Sequence, residues 1–346
     1  MKSKPKSPVA PAARRALAQV DRFAAALDDA VAQHAAEPRT RTGHFLYKAD
    51  GRTPMFYLQG MARVSQATGP DRQLWRTWLP RFKEVEDRIG AYDYWFDLQH
   101  RGHAWKLPKP MLAYFGERAE QAMGALEYAL QRAGWWVEHE GAPTGPGPML
   151  AELRTALTAL GGRKPKKERK QIAAFLRDEV TEIIDKLADG RIDLDEVELG
   201  IHELRRHLRW LPIYGLALGG KIVLDPATHD GPLAHYLTPD RLNNRFNQLP
   251  GHDDEPEPVQ LDTGAFLAVS LLIAEIGKLK DRALFTQEIE RSSRLLGLDA
   301  DKTATLLGEE RIAHGEVVAG VRELVRQVID GDAVLQRLAD HLAAQT

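Results

Sequence analysis

The chain has 346 residues, of which 43% are hydrophobic and 28% charged, and its formal net charge is only −2. That is apolar material enough for one large domain or two ordinary ones, while the balanced charge gives no global drive toward nucleic acid or an acidic membrane, so any anion site must be a local patch. The chain has no cysteine, which excludes disulfides, thiol catalysis and thiolate metal sites.

Residues 1–15 carry Lys2, Lys4 and Lys6 among Pro5, Pro8 and Pro11, without the apolar segment of a signal peptide. This composition predicts a disordered basic tail. Residues 16–34 place Leu17, Val20, Phe23, Leu27 and Val31 at helical spacing. Pro54 opens a second helix over 55–66. A long helix follows over 74–100, interrupted near Pro80 or beginning after it, and another over 111–136. Residues 141–148, six of them glycine or proline, read as a break. Helices over 149–160 and 172–187 flank a basic connector with Arg163, Lys164, Lys166, Lys167, Arg169 and Lys170. Further helices are expected over 194–218, 239–247, 263–296, 300–307 and 313–344, with an acidic, proline-containing loop over 250–259. The best strand candidate is the short 221–224. No stretch reaches the roughly 18 apolar residues of a membrane span. The pattern predicts an all-α fold, a bundle of long helices. Its expected divisions are the tail 1–15, a first helical repeat 16–140, a linker 141–148 and a second repeat 149–346, the repeats packing as one domain.

The most informative stretch is 201–211. Ile201, Leu204, Leu208 and Leu211 form an apolar stripe, and His202, Arg205, Arg206 and Arg209 form a basic ridge beside it. Several cationic donors in a row suit an anion with many oxygens, because arginine forks bind such oxygens bidentately. The chain also echoes itself. Phe56 to Arg63 followed by Ile89, Gly90 and Asp93 has the same grammar as His202 to Arg209 followed by Ile276, Gly277 and Asp281. A period that long speaks for duplication rather than a solenoid.

At these residues the sequence resembles the CHAD family, the conserved-histidine α-helical domain. His202, Arg205 and Arg209 match the histidine, the arginine three residues later and the further basic residue of its repeat-opening helix, and the step from Ile276 to Asp281 and the helix around 107–136 fit its order of segments from about Ala16 onward. The resemblance implies two helical repeats around a basic groove that binds inorganic polyphosphate. It implies a site of His202, Arg205, Arg206 and Arg209 with Lys278, Lys280 and Arg282 from a facing helix, and a contribution from Arg63, Arg72, Arg76, Arg81 and Lys83 in the first repeat. The chain departs from the family where Trp210 and Pro212 replace two basic residues, and where Phe56 and Gln59 take the places of the first repeat's histidine and arginine. Pro212 is expected to kink or end its helix.

Three other signals compete. Asp185, Asp189, Asp193 and Glu196, with Gly190 between, stand at the spacing of a calcium-binding EF-hand loop, although Leu187 occupies a ligand position. The alternative is a helix connector closed by Gly190 and capped by Asp193 or Asp195. His202 and Glu203 do not make a zinc site, because the second histidine is one residue too far to share their face. Trp75, Trp78, Tyr92, Tyr94, Trp95, Phe96, Trp105, Tyr114, Phe115, Trp135 and Trp136 read chiefly as core, with a protein-partner surface as the alternative. No nucleophile, base and acid set and no phosphate-cradling glycine loop appears. The leading expectation is therefore a non-enzymatic, cytoplasmic polyanion-binding module of bacterial type. A protein-interaction scaffold with a decayed anion site comes second and a calcium-binding helical protein third. No other cofactor, no membrane and no nucleic acid is expected among its partners.

Overall fold

The computed structural model describes residues 9–69, 71–251 and 256–346. Most of the basic tail therefore lies outside the described residues. The chain is an all-α helical bundle with short strands. In chain order it forms α1 (Pro11–Ala36), α2 (Thr42–Lys48), α3 (Arg52–Thr68), α4 (Arg72–Ala104), α5 (Lys109–Arg132), β1 (Trp136–His139), β2 (Ala142–Pro146), α6 (Pro148–Thr158) and α7 (Pro165–Ala188). There follow α8 (His202–Ala217), β3 (Ile222–Asp225), α9 (Pro239–Leu242), β4 (Val259–Asp262), α10 (Thr263–Leu295), α11 (Ala300–Ala304), α12 (His314–Leu324) and α13 (Val334–Ala343). Among the described residues no helix is long and apolar enough to cross a membrane.

The chain divides into two compact units, one of Met1–Tyr94 with Arg118–Lys164 and one of Trp95–Glu117 with Pro165–Thr346. This division differs from the expected one at 141–148. That glycine- and proline-rich segment is not a linker but the return strand of a hairpin, β1 pairing antiparallel with β2. The hairpin is closed by Gly147 N–H donating to the Trp135 carbonyl at 2.8 Å and Met149 N–H donating to Gly134 at 3.0 Å. Helix α1 starts at Pro11, five residues before the expected start. A proline costs nothing in the first turn, where its missing N–H has no partner to lose, and Ala13 and Ala16 are already buried.

The first unit is organised around α1, whose Val20, Phe23 and Leu27 are fully buried. Trp135 sets its edge against Phe23, with ring centroids 5.5 Å apart. In the second unit α7 packs on α13 and α8 on α10. The expected strand near 221–224 is β3, and it pairs in parallel with β4, so the end of the expected 250–259 loop is strand. Residues 252–255 of that loop lie outside the described residues. Lys221, just before β3, is fully buried and donates from Nζ to the carbonyls of Pro256 and Glu257 at 2.8 and 3.1 Å.

Two prolines expected to interrupt helices do not. Pro80 lies inside α4 and Pro212 inside α8. Around Pro212 the helix is buried from Leu211 to Gly215, so packing offsets the lost hydrogen bond, worth about 3 kcal/mol in an isolated helix. The expected single helix over 313–344 is instead two. Between them Ala333 adopts a left-handed φ of 52°, which no helix continues through.

Helix α8 presents the chemistry of interest. Leu204, Leu208 and Leu211 are buried as the expected apolar stripe, while His202 and Arg206 are exposed and Arg205 and Arg209 half-buried. The helix is entered through one π-helical turn, Val197–Ile201. In it Gly200 is so close to Asp193 that a Cβ would collide with the Asp193 carbonyl oxygen. Because that neighbour is backbone, it cannot swing aside. Gly200→Ala is expected to cost roughly 1–3 kcal/mol, the usual penalty of overpacking, read as a fall in the urea midpoint. An unchanged midpoint would show that the entry to α8 is not held by this contact.

Candidate anion-binding site

The site is built on the crossing of α8 and α10. Arg205 reaches across to α10, where its Nε donates to the Ile273 carbonyl at 3.0 Å. Its guanidinium lies over Gly277, and a Cβ at that position would sit 2.8 Å from Nε. The glycine thus makes room for the arginine. Burial lowers the pKa of Arg205 and the Asp281 carboxylate opposes the shift. Among the described residues no carboxylate pairs directly with Arg205. The side chain is consequently held by a neutral acceptor and keeps its charge for another partner.

His202 lies in the field of the same ridge. Although its surface is open to solvent, partial desolvation by its neighbours holds its pKa below the ordinary value, and Lys280, Arg205, Arg206 and Arg209 push in the same direction. These cations thus act on one imidazole. Lys280 is nearly buried, with Nζ 2.7 Å from Asp281. Arg206 pairs with Glu203 at 2.7 Å. Burial raises the Glu203 pKa, but Arg206 outweighs it and the carboxyl ends below its usual range. On the other flank His207 lies 3.0 Å from Glu203 and accepts from Lys186 at 3.1 Å. Its pKa is lowered by burial first and Lys186 second.

Other expected contributors are placed elsewhere. Lys278 is exposed and pairs with Glu275 at 2.7 Å. Arg282 donates to the carbonyls of Glu309, Glu310 and Arg311, tying α10 to the segment before α12. In the first unit Arg63 is half-buried on α3 and Arg76 exposed on α4. Arg72 donates to the Ala67 carbonyl. Arg81 stacks on Trp78, 4.5 Å from its centroid, and pairs with Glu152 at 3.2 Å. Lys83 pairs with Asp87 at 2.6 Å.

The first unit does contain a counterpart to Arg205, but it is not the expected Gln59, which is buried in α3. It is Arg52, the first residue of α3, whose guanidinium covers Gly90 as that of Arg205 covers Gly277. The buried positions follow the same register: Met55 and Leu58 stand three and six residues after Arg52, as Leu208 and Leu211 stand after Arg205. The partners differ. Arg52 pairs with the buried Glu86 at 2.8 Å and with Asp93 at 3.1 Å. Asp93 also accepts from the Tyr47 hydroxyl at 2.8 Å. Periodicity alone could not choose between Arg52 and Gln59. Sequence separation could not do so either, because neither residue keeps the separation from Gly90 that Arg205 keeps from Gly277.

The acidic connector forms no ligand cage. Asp189 turns back on Arg191 at 2.7 Å, Asp193 accepts from the Asp195 N–H at 2.9 Å, and Asp195 pairs with Arg322 at 2.6 Å. The Asp189 pKa is lowered first by its hydrogen bond from Arg191. Among the described residues no three or more histidines and carboxylates gather as a metal site, Asp185 and Glu196 included. Of the aromatic residues, Trp75, Trp78, Tyr92, Trp95, Phe115, Trp135 and Trp136 are buried, and Tyr94, Phe96, Trp105 and Tyr114 half-buried.

The seat of Arg205 has a specific test. Gly277→Ala adds a methyl group where the guanidinium lies, and the arginine end can move away. Alanine gains about 1 kcal/mol over glycine in a helix, so stability is expected to change by less than about 1 kcal/mol while Arg205 loses its place on Ile273. Thermal melts with a crystal structure of the variant check this. Unmoved Arg205 would show that the glycine is not what seats it. Comparison with known proteins returns no match, whether with family models, curated proteins or solved structures.

Proposed function

We propose that this chain is a polyanion-binding helical module that holds a phosphate-rich anion on the α8 ridge around Arg205. The observation that supports the reading is geometric: His202, Arg205, Arg206 and Arg209 share one ridge of α8, and Arg205 is seated over Gly277 and anchored by a carbonyl rather than a carboxylate. Like charges crowd together at a cost, and an anion with several oxygens removes that cost. The resemblance of His202, Arg205 and Arg209 to the CHAD pattern makes inorganic polyphosphate the first ligand to try.

Titration with polyphosphate at low and near-physiological salt tests the reading. Affinity is expected to fall with salt on a log–log slope of magnitude about 3 to 4, by the counterion release known for nucleic-acid backbones. A double variant, Arg205→Ala with Arg209→Ala, is expected to bind at least about a hundredfold more weakly, since charge-assisted hydrogen bonds contribute about 1.5–3 kcal/mol each. No binding at low salt, or binding indifferent to both substitutions, would sink the reading.

Affinity should also depend on pH. A bound anion favours the charged imidazole of His202 against its partial desolvation and against Lys280, Arg205, Arg206 and Arg209, so binding takes up a proton. The affinity is then expected to rise as pH falls through about 6.5, the ordinary histidine value. His202→Gln should flatten that rise. The sign for stability is opposite. With its folded pKa depressed, His202 lets the unliganded chain keep full stability above about 6.5 and lose it as pH falls below.

A further inference from the structure

The two glycine-seated arginines occupy the same geometry with opposite surroundings. Four residues before the glycine stands Ile273 in the second unit and Glu86 in the first; three residues after it stands Lys280 in the second and Asp93 in the first. Arg205 is anchored by a carbonyl, with the Asp281 carboxylate acting on it without direct contact, while Arg52 is flanked by two carboxylates. Counting from these arginines, the places of His202, Arg206 and Arg209 are filled in the first unit by Ala49, Thr53 and Phe56, and Phe56 stacks under Arg52 with its centroid 5.3 Å away. Arg52 thus already holds the charges that Arg205 lacks.

The cationic run in the second unit is also short. From His202 to Arg209 it covers about 10 Å of helix axis. Ahead of it come the exposed carboxylates Asp193, Asp195, Glu196 and Glu198. Behind it Trp210 stacks on Tyr214, 5.7 Å between centroids, and the helix enters the core. A long anionic chain laid along α8 meets acid at one end and apolar surface at the other.

Resting on the anion-binding reading above, we propose that the chain has a single anion seat, formed by His202, Arg205, Arg206, Arg209 and Lys280, and that its ligand class is a short oligophosphate rather than a long polymer. The corresponding seat at Arg52 is closed by Glu86 and Asp93, which stand where the phosphate oxygens would be.

Calorimetric titration of the full chain with orthophosphate, tripolyphosphate and long-chain polyphosphate tests this. Tripolyphosphate is expected to saturate at one per chain, and long-chain polyphosphate to bind no more than a few-fold tighter per protein bound. Gly277→Ala, which displaces Arg205 without removing its charge, and Arg206→Ala, at an exposed position, are each expected to weaken tripolyphosphate at least about tenfold, the loss of one charge-assisted hydrogen bond. Two equivalents of tripolyphosphate per chain, or at least a tenfold preference for the long polymer, would overturn the single short seat and leave the anion-binding reading standing. Absence of binding by all three ligands at low salt would overturn both.

Discussion

The close approach of Arg205 to Gly277 sets the conditions for everything else on the ridge. Two helices can cross at short range only where one of them lacks a side chain, and here the vacated space is filled by a guanidinium instead of backbone. That arrangement fixes a flexible side chain at little entropic cost, because its stem packs against α10 and its Nε has one defined acceptor in Ile273. It also decides the electrostatics. A carbonyl satisfies one donor without cancelling the charge of the fork.

The same crossing in the first unit has the opposite outcome. Arg52 is bound to Glu86 and Asp93, and Glu86 is almost wholly buried. A buried ion pair of this kind is weak evidence for net stability, since desolvation consumes much of the attraction. Removing one partner is costly, however, because the other is left charged in a poor solvent. Once Glu86 stood beside Arg52, the pair became hard to lose. Duplicated geometry therefore does not imply duplicated function. One copy holds its arginine for the fold, and the other leaves its arginine poised.

Much of this was legible in the chain itself. The stripe of Leu204, Leu208 and Leu211 and the ridge beside it follow from helical period, and burial divides them as the pattern requires. The Ile-Gly step at Gly90 and Gly277 was visible as a repeated motif. The partner it served was not, because Arg52 and Gln59 both satisfy the spacing of α3 and only the cross-helix distance separates them. Pro80 and Pro212 misled for a related reason. Local sequence states what a proline costs but not what its ring gains on burial. The segment 141–148 reads as a linker by composition, yet its glycines serve a tight return against Trp135 and Trp136. The spacing of Asp185, Asp189, Asp193 and Glu196 follows a calcium loop except at Leu187, but Asp189 turns to Arg191 and Asp193 to the local backbone, and the four do not gather.

What separates a binding ridge from an ordinary solvated one is the accounting of its counter-charges. Lys83 with Asp87, Lys278 with Glu275 and Arg326 with Glu323 are one-to-one pairs within a single helical turn or its continuation, each worth a few tenths of a kcal/mol in water. Such pairs leave no field beyond a Debye length. Around His202, Arg206 pairs with Glu203 and Lys280 with Asp281, but Arg205 rests on a carbonyl, so its charge meets no direct carboxylate contact. Evolution of a core contact has no use for that imbalance, because it destabilises the unliganded chain. Under the proposed anion-binding reading, an anion that arrives with several oxygens would convert the same imbalance into affinity.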